Sequence, residues 1–219
     1  DVDGELVNFY QVVRDRHDEL IRCLRWLLHS RRWFREMLQA DTATLDKVER
    51  AARFFYLRKS SFGGMGKHFG RSKSRNEAIY LSRVEAVITA AHARLRRVTI
   101  EEQDFEEVLA FFDDPCSFAY LDPPYRGMSD GLYGRILADG EYERLHWCLA
   151  GAKGKWLMSH ADDPFIRGIF RDFTISNVST TYSLSGGANT ESIRKERREI
   201  LVCNYSVRTS GTAGFGETA

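Results

Sequence analysis

Several things are scarce in this sequence, and each scarcity removes a class of function. No apolar run is long enough to span a bilayer, so no membrane partner is expected. The 219 residues contain only four cysteines, Cys23, Cys116, Cys148 and Cys203. They lie far apart without metal-ligand spacing, which fits reduced thiols in a cytoplasmic protein. The six histidines form no ligand pair either, so no metal site is expected. Acidic residues are missing from one long stretch: between Arg58 and Arg75 lie Arg58, Lys59, Lys67, Arg71, Lys73 and Arg75, with His68 among them and no Asp or Glu. In a chain of net charge +1 that local excess reads either as a solvated loop or as a face for a polyanion. Proline is scarce too, and two of the four prolines are adjacent, in Phe118–Gly127, FAYLDPPYRG.

The length suits one sizeable domain, or a core domain with a smaller insertion. Helical spacing of apolar residues predicts a helix over Glu5–Val13 and another from Leu20 that continues towards Leu38. A third is predicted over Leu45–Tyr56 and a fourth over Asn76–Arg96, with a glycine- and serine-rich loop, Ser60–Arg75, between them. After Arg97 the texture changes. Val98–Ile100 reads as a short strand, Asp104 as a helix start, and Ser117–Leu121 as a buried strand. Then come a helix over Glu141–Gly151, a strand at Lys155–Ser159 and a short helix opened by Pro164. Two final strands, in FTISNVSTTYSL and REILVCNY, flank a Gly/Asn-rich connection, and the closing RTSGTAGFGETA has no periodicity. Strands alternating with helices predict an α/β sheet with crossover units. The expected organisation is 1–30 as the remainder of an N-terminal part, 31–96 as a basic helical segment, 97–205 as an α/β part and 206–219 as a tail.

The adjacent prolines carry the chemistry. Proline cannot continue a strand and fixes φ, so Asp122 and Tyr125 are held in a stiff elbow at a strand's carboxyl end, where open α/β sheets bind ligands. A carboxylate, a Pro123 carbonyl with no ladder to join and an aromatic face suit a planar substrate bearing an amino group. An adenine amino nitrogen is a poor nucleophile because its lone pair is delocalised into the ring. Two acceptors out of the ring plane would favour a pyramidal nitrogen, and the aspartate would stabilise the developing positive charge. A duplex base must leave the stack to reach such a site, with Tyr125 replacing part of its stacking.

The Asp122-Pro123-Pro124-Tyr125 tetrapeptide in this strand context resembles motif IV of the amino-methyltransferases, specifically the DNA adenine methylase (Dam-like) family. Four further blocks resemble segments of the same family. Asp1–Tyr10, DVDGELVNFY, resembles the segment whose acidic residue binds the ribose of S-adenosylmethionine. Asp104-Phe105 resembles the motif that contacts the cofactor's adenine. FFYLRKSSFGGMGKHFG resembles the target-recognition region, and REILVCNY the closing strand. The resemblance implies a Rossmann-like class I methyltransferase sheet carrying an inserted helical DNA-recognition segment. It implies catalysis by Asp122, Pro123, Pro124 and Tyr125, and S-adenosylmethionine held by Asp1, Asp104 and Phe105. Double-stranded DNA would contact Arg58, Lys59, Ser61, Phe62, Lys67, Arg71, Lys73 and Arg75. Restriction-modification in the cytoplasm of a bacterial or phage-infected cell is the implied setting.

Two expectations qualify that reading. The family's glycine-rich loop beside the methionine moiety would lie upstream of Asp1, as would the first two strands of a sheet ordered three-two-one-four-five-seven-six. The sequence is therefore expected to be a piece of a longer chain, or to be completed by another polypeptide segment. Asp104 also suits a plain helix N-cap. A DNA-binding remnant without catalysis, or an amino-methyltransferase for cytosine, RNA or a protein amide, are the rival functions; the leading Asp of the tetrapeptide favours adenine.

Overall fold

Short polar side chains set the helix boundaries in the computed structural model, which describes residues 1–70, 83–127, 137–183 and 194–207. Asp3 Oδ1 accepts the Glu5 and Leu6 amides (3.0 and 3.2 Å) and starts α1, Gly4–Asp15. Helix α2 spans His17–Leu24, and Ser30 caps α3, Arg31–Gln39, by accepting from the Trp33 amide. Asp46 and Glu49 form a reciprocal capping box at the head of α4, Lys47–Ser60. Helix α5 covers Val84–Leu95. These helices bury one apolar cluster that includes Val13, Leu20, Leu24, Ala51, Tyr56 and Ile88.

The chain divides into two compact units, Asp1–Val108 with Ser185–Ile193, and Leu109–Leu184 with Arg194–Ala219. Helix α6, Phe105–Phe112, spans the division. The second unit contains β1 (Phe118–Leu121), α7 (Asp139–Ala150), β2 (Lys155–Ala161), α8 (Pro164–Ile169), β3 (Thr174–Ser183) and β4 (Arg194–Cys203). Its four described strands are ordered β1-β2-β4-β3. Strands β1 and β2 are parallel, with Leu121 opposite Met158; β4 runs antiparallel to both β2 and β3. The parallel pair is joined through α7, as a crossover requires. Strand β2 lies between two neighbours and buries Trp156, Met158 and His160. Helix α7 buries Tyr142, Leu145 and Leu149, and the Trp156 indole donates to the Leu149 carbonyl at 3.0 Å.

At the start of β2, Asp113 accepts the Lys153 amide and the Gly154 amide, which holds its carboxyl below the usual carboxylate range. A Cβ on Gly154 would stand 2.1 Å from Ser117 Oγ, so only glycine lets the two strand heads approach this closely.

Three expectations need correction. Val98–Ile100 is not a strand: the Val98 amide donates to Leu95 O (2.9 Å) at the end of α5, and its carbonyl accepts from Arg14 (3.1 Å), so this backbone is used by a helix end and a side chain. The helix predicted from Leu20 towards Leu38 breaks after Leu24, because Ser30 is extended (φ −131°, ψ 127°) and caps a new helix. Strand β1 is not buried. It lies at the edge of the described sheet, with Phe118 57% and Tyr120 60% exposed. Elsewhere the expected helices and strands are present within a few residues. The start of the helix predicted from Asn76, the Gly/Asn-rich connection and most of the tail lie outside the described residues.

The break before α3 depends on Tyr56. Its buried hydroxyl has one proton to give to the carbonyls of Leu28 (2.8 Å) or Ser30 (3.1 Å), the former the nearer, and accepts the Ser30 amide (3.0 Å). Tyr56→Phe removes the hydroxyl from the Leu28 carbonyl and the Ser30 amide, while the Ser30 carbonyl keeps the Phe34 amide (2.9 Å), and is expected to destabilise the protein by about 1–3 kcal/mol. Urea unfolding checks this; an unchanged midpoint contradicts it.

Candidate active site

The elbow begins where β1 stops. Asp122 follows Leu121, and the strand register continues one step to place it beside Ser159 on β2. Ser159 Oγ donates to Asp122 Oδ1 at 2.8 Å and accepts from the Tyr120 hydroxyl at 3.0 Å. Asp122 is exposed, and no described residue forms an ion pair with it. Its second oxygen and the Pro123 carbonyl have no hydrogen-bond partner among the described residues. The Pro124 carbonyl, in contrast, accepts from the Tyr142 hydroxyl. Two oxygens of the elbow are thus committed and two remain available. Gly127 closes the turn at φ +76°, a backbone conformation that favours glycine.

Behind the elbow lies a buried polar cluster that sequence reasoning did not assign to the site. His160 is 0% exposed. Its Nδ1 lies 2.9 Å from the Ala161 carbonyl, and its Nε2 accepts the Arg126 amide at 3.1 Å. That pairing requires neutral imidazole with the proton on Nδ1. The His160 ring lies 4.9 Å from the Tyr125 ring at an interplanar angle of 34° and meets Tyr142 edge-on. The Arg126 side chain turns away from the elbow's oxygens. It pairs with Asp139 through two nitrogens (2.8 and 3.1 Å), reaches Asp163 at 3.4 Å and covers the Phe165 ring. Burial pushes the Tyr142 hydroxyl up to about 12, so it stays protonated and donates to Pro124. Ser159 and His160 are two consecutive residues at the end of the next parallel strand. The strand–helix–strand pattern was the signal that could have placed them beside Asp122.

The three residues expected to hold cofactor lie in the first unit. The Asp1 nitrogen donates to the Glu101 carbonyl at 3.1 Å, so the head of the chain lies along the segment leading to Asp104. The Asp1 carboxylate is exposed and accepts the Asp3 amide at 2.8 Å. Asp104 Oδ1 accepts the Glu106 amide at 3.0 Å, the geometry of a cap on α6, and Phe105 is half-buried.

The basic segment folds back on itself. A bridge pairs Ser61 with Phe69 across a turn that Phe62 opens. Ser61 is buried; its hydroxyl donates to the Arg58 carbonyl and accepts the Gly66 amide at 2.7 Å, so it holds the turn from inside. Arg58 reaches the Gly64 carbonyl (3.3 Å) and covers Phe54. Lys59, Lys67 and His68 are exposed. Phe69 stacks on His29 and lies under the Arg31 guanidinium (5.0 Å), which brings the head of α3 to the same turn. Arg71, Lys73 and Arg75 lie outside the described residues. No group of side chains able to hold a metal ion occurs among the described residues, and no described helix is long and apolar enough to cross a membrane.

Over residues 1–184 the sequence matches the D12 class N6 adenine-specific DNA methyltransferases. The chain belongs to this family. It is 27% identical over 228 residues to a type II methyltransferase, M1.LlaDCHI, of Lactococcus lactis subsp. cremoris, covering 94% of this chain and 78% of the relative. It is 28% identical over 147 residues to a type II methyltransferase, M.CviBI, of Paramecium bursaria Chlorella virus NC1A, covering 63% of this chain and about half (54%) of that relative.

Membership in the D12 class makes the substrate DNA, the modified base adenine and the methyl donor S-adenosylmethionine. In chemical type the expected cofactor residues match S-adenosylmethionine: carboxylates such as those of Asp1 and Asp104 accept from hydroxyl and amino groups, and an aromatic ring such as that of Phe105 suits a purine.

Burial holds the His160 pKa below its ordinary 6.5. Above that value both folded and unfolded chains carry it neutral. As pH falls below it, the unfolded chain takes up a proton that the folded chain refuses, so stability declines until folded His160 itself titrates. His160→Asn in this D12 methyltransferase is expected to lose stability less steeply than wild type between about pH 7 and pH 5.5. Urea unfolding across that range checks it; equal slopes contradict it.

Proposed function

We propose that this chain methylates adenine in double-stranded DNA at the Asp122–Tyr125 elbow. The observation that carries the assignment is the pair of uncommitted acceptors at the end of β1, the second Asp122 oxygen and the Pro123 carbonyl. In this reading they take one amino hydrogen each from a flipped adenine and favour the pyramidal nitrogen whose lone pair is free to attack. S-adenosylmethionine supplies the methyl group, and Asp1, Asp104 and Phe105 hold it. The Asp122 carboxylate stabilises the positive charge that develops on nitrogen and takes up the proton the nitrogen then sheds. Pro123 and Pro124 keep the acceptors in place without a conformational search, because their φ angles are fixed. Tyr125 supports the extruded ring by stacking.

The basic turn and the head of α3 would meet the DNA backbone. Arg31, Lys59 and Lys67 are suited to phosphate, and their contribution falls as salt rises. Described strands β1, β2, β4 and β3 run in the order and directions of strands four, five, seven and six of the expected methyltransferase sheet, which supports a Rossmann-like class I arrangement. A further polypeptide segment pairing with the β1 edge would complete that sheet. Restriction-modification in the cytoplasm of a bacterial or phage-infected cell is the setting we assign.

Transfer of a tritiated methyl group to plasmid DNA, followed by nucleoside analysis, is expected to yield N6-methyladenine. Asp122→Ala is expected to lower transfer by at least about 100-fold while leaving DNA retention close to wild type. Undiminished methylation by that variant, or label on cytosine, would overturn the assignment.

A further inference from the structure

We propose that Ser159, polarised by Tyr120, is the positioning residue for the Asp122 carboxylate. This inference rests on the assignment of Asp122 as the amine acceptor. A carboxylate at the end of a strand, exposed and without an ion pair, turns about its side-chain bonds unless something fixes it. Among the described residues the only hydrogen bond that does so is the 2.8 Å one from Ser159 Oγ to Oδ1. Ser159 is itself well placed to hold direction. It is 6% exposed and lies in β2, paired to β1 on one side and to Leu201 of β4 on the other, so its backbone is fixed.

A serine hydroxyl has one proton and, here, two acceptors: Asp122 Oδ1 at 2.8 Å and the Leu121 carbonyl at 3.5 Å. The Tyr120 hydroxyl donates into the serine oxygen at 3.0 Å, which strengthens the bond that Ser159 gives onward. Tyr120 and Asp122 lie on the same face of β1, two residues apart, while Ser159 stands across from them on β2. The chain Tyr120 to Ser159 to Asp122 therefore satisfies one carboxylate oxygen and leaves the other without a partner among the described residues. A second donor at Asp122 would have withdrawn the acceptor that the amine needs.

Kinetics of Ser159→Ala, Ser159→Thr, Tyr120→Phe and Asp122→Ala on the full chain test this. Ser159→Ala is expected to lower kcat by about 10–100-fold, with KM for DNA and for S-adenosylmethionine within about twofold of wild type. Ser159→Thr restores the hydroxyl and most of kcat. Tyr120→Phe, at an exposed side chain whose loss does not threaten folding, lowers kcat by a smaller factor. Wild-type kcat in Ser159→Ala overturns the proposal, as does a loss that Thr fails to restore in a variant of wild-type thermal stability. If Tyr120→Phe is as active as wild type, the tyrosine has no part in the relay and the proposal fails in that form. Asp122→Ala separates the two levels. An inactive Asp122→Ala beside a fully active Ser159→Ala removes only the positioning role, whereas an active Asp122→Ala removes the site itself.

Discussion

The proposed chemistry depends on oxygens that have no hydrogen-bond partner among the described residues. At the end of a strand, a carboxylate and a carbonyl would ordinarily be absorbed by a turn, a cap or an ion pair. Here the nearby donors are used elsewhere. Arg126, the cation adjoining the elbow in sequence, is held by Asp139 and Asp163. Tyr142 donates to Pro124 and not to Pro123, and His160 accepts from the Arg126 amide. Among the described residues two acceptors of the elbow stay without a partner because the neighbouring groups are already paired, which is the condition the proposed polarisation of an amine requires.

The supporting groups come from a well-packed unit, which explains how an exposed site can be stiff. Trp156, Met158, Ser159 and His160 are all buried along β2, which is held against α7 and β4. Two prolines remove the remaining backbone freedom on the β1 side. The basic turn of the first unit is built differently. Its glycines adopt positive φ at Gly63, Gly64 and Gly66, and Ser61 holds it from within. That leaves Lys67 exposed on a short, internally bonded loop, with Lys59 exposed at the end of α4, an arrangement suited to a charged backbone more than to a deep pocket.

How much of this was legible in the sequence follows from the range of the interactions. The elbow was legible, because proline acts through its own φ and needs no distant partner. The cap at Asp104 was legible for the same reason, being satisfied two residues away. Ser159, His160 and Tyr142 were not, since they meet the elbow only through the register of β1 with β2 and the packing of α7. The break before α3 was hidden likewise: apolar spacing runs on through Leu27 and Leu28, and the competing force is a hydroxyl on Tyr56, in another helix. Val98–Ile100 has strand-like composition, yet its backbone groups are taken by α5 and Arg14. For β1, an apolar run signalled burial, while its exposure reflects its position at the edge of the described sheet.

The most direct test is a crystal structure with S-adenosylhomocysteine and a short duplex containing the methylated sequence. The account predicts an adenine turned out of the helix, its amino nitrogen within about 3 Å of both Asp122 and the Pro123 carbonyl, and Tyr125 against its ring. A target adenine still stacked in the duplex, or an amino group bound by other residues while Asp122 points into solvent, would contradict it.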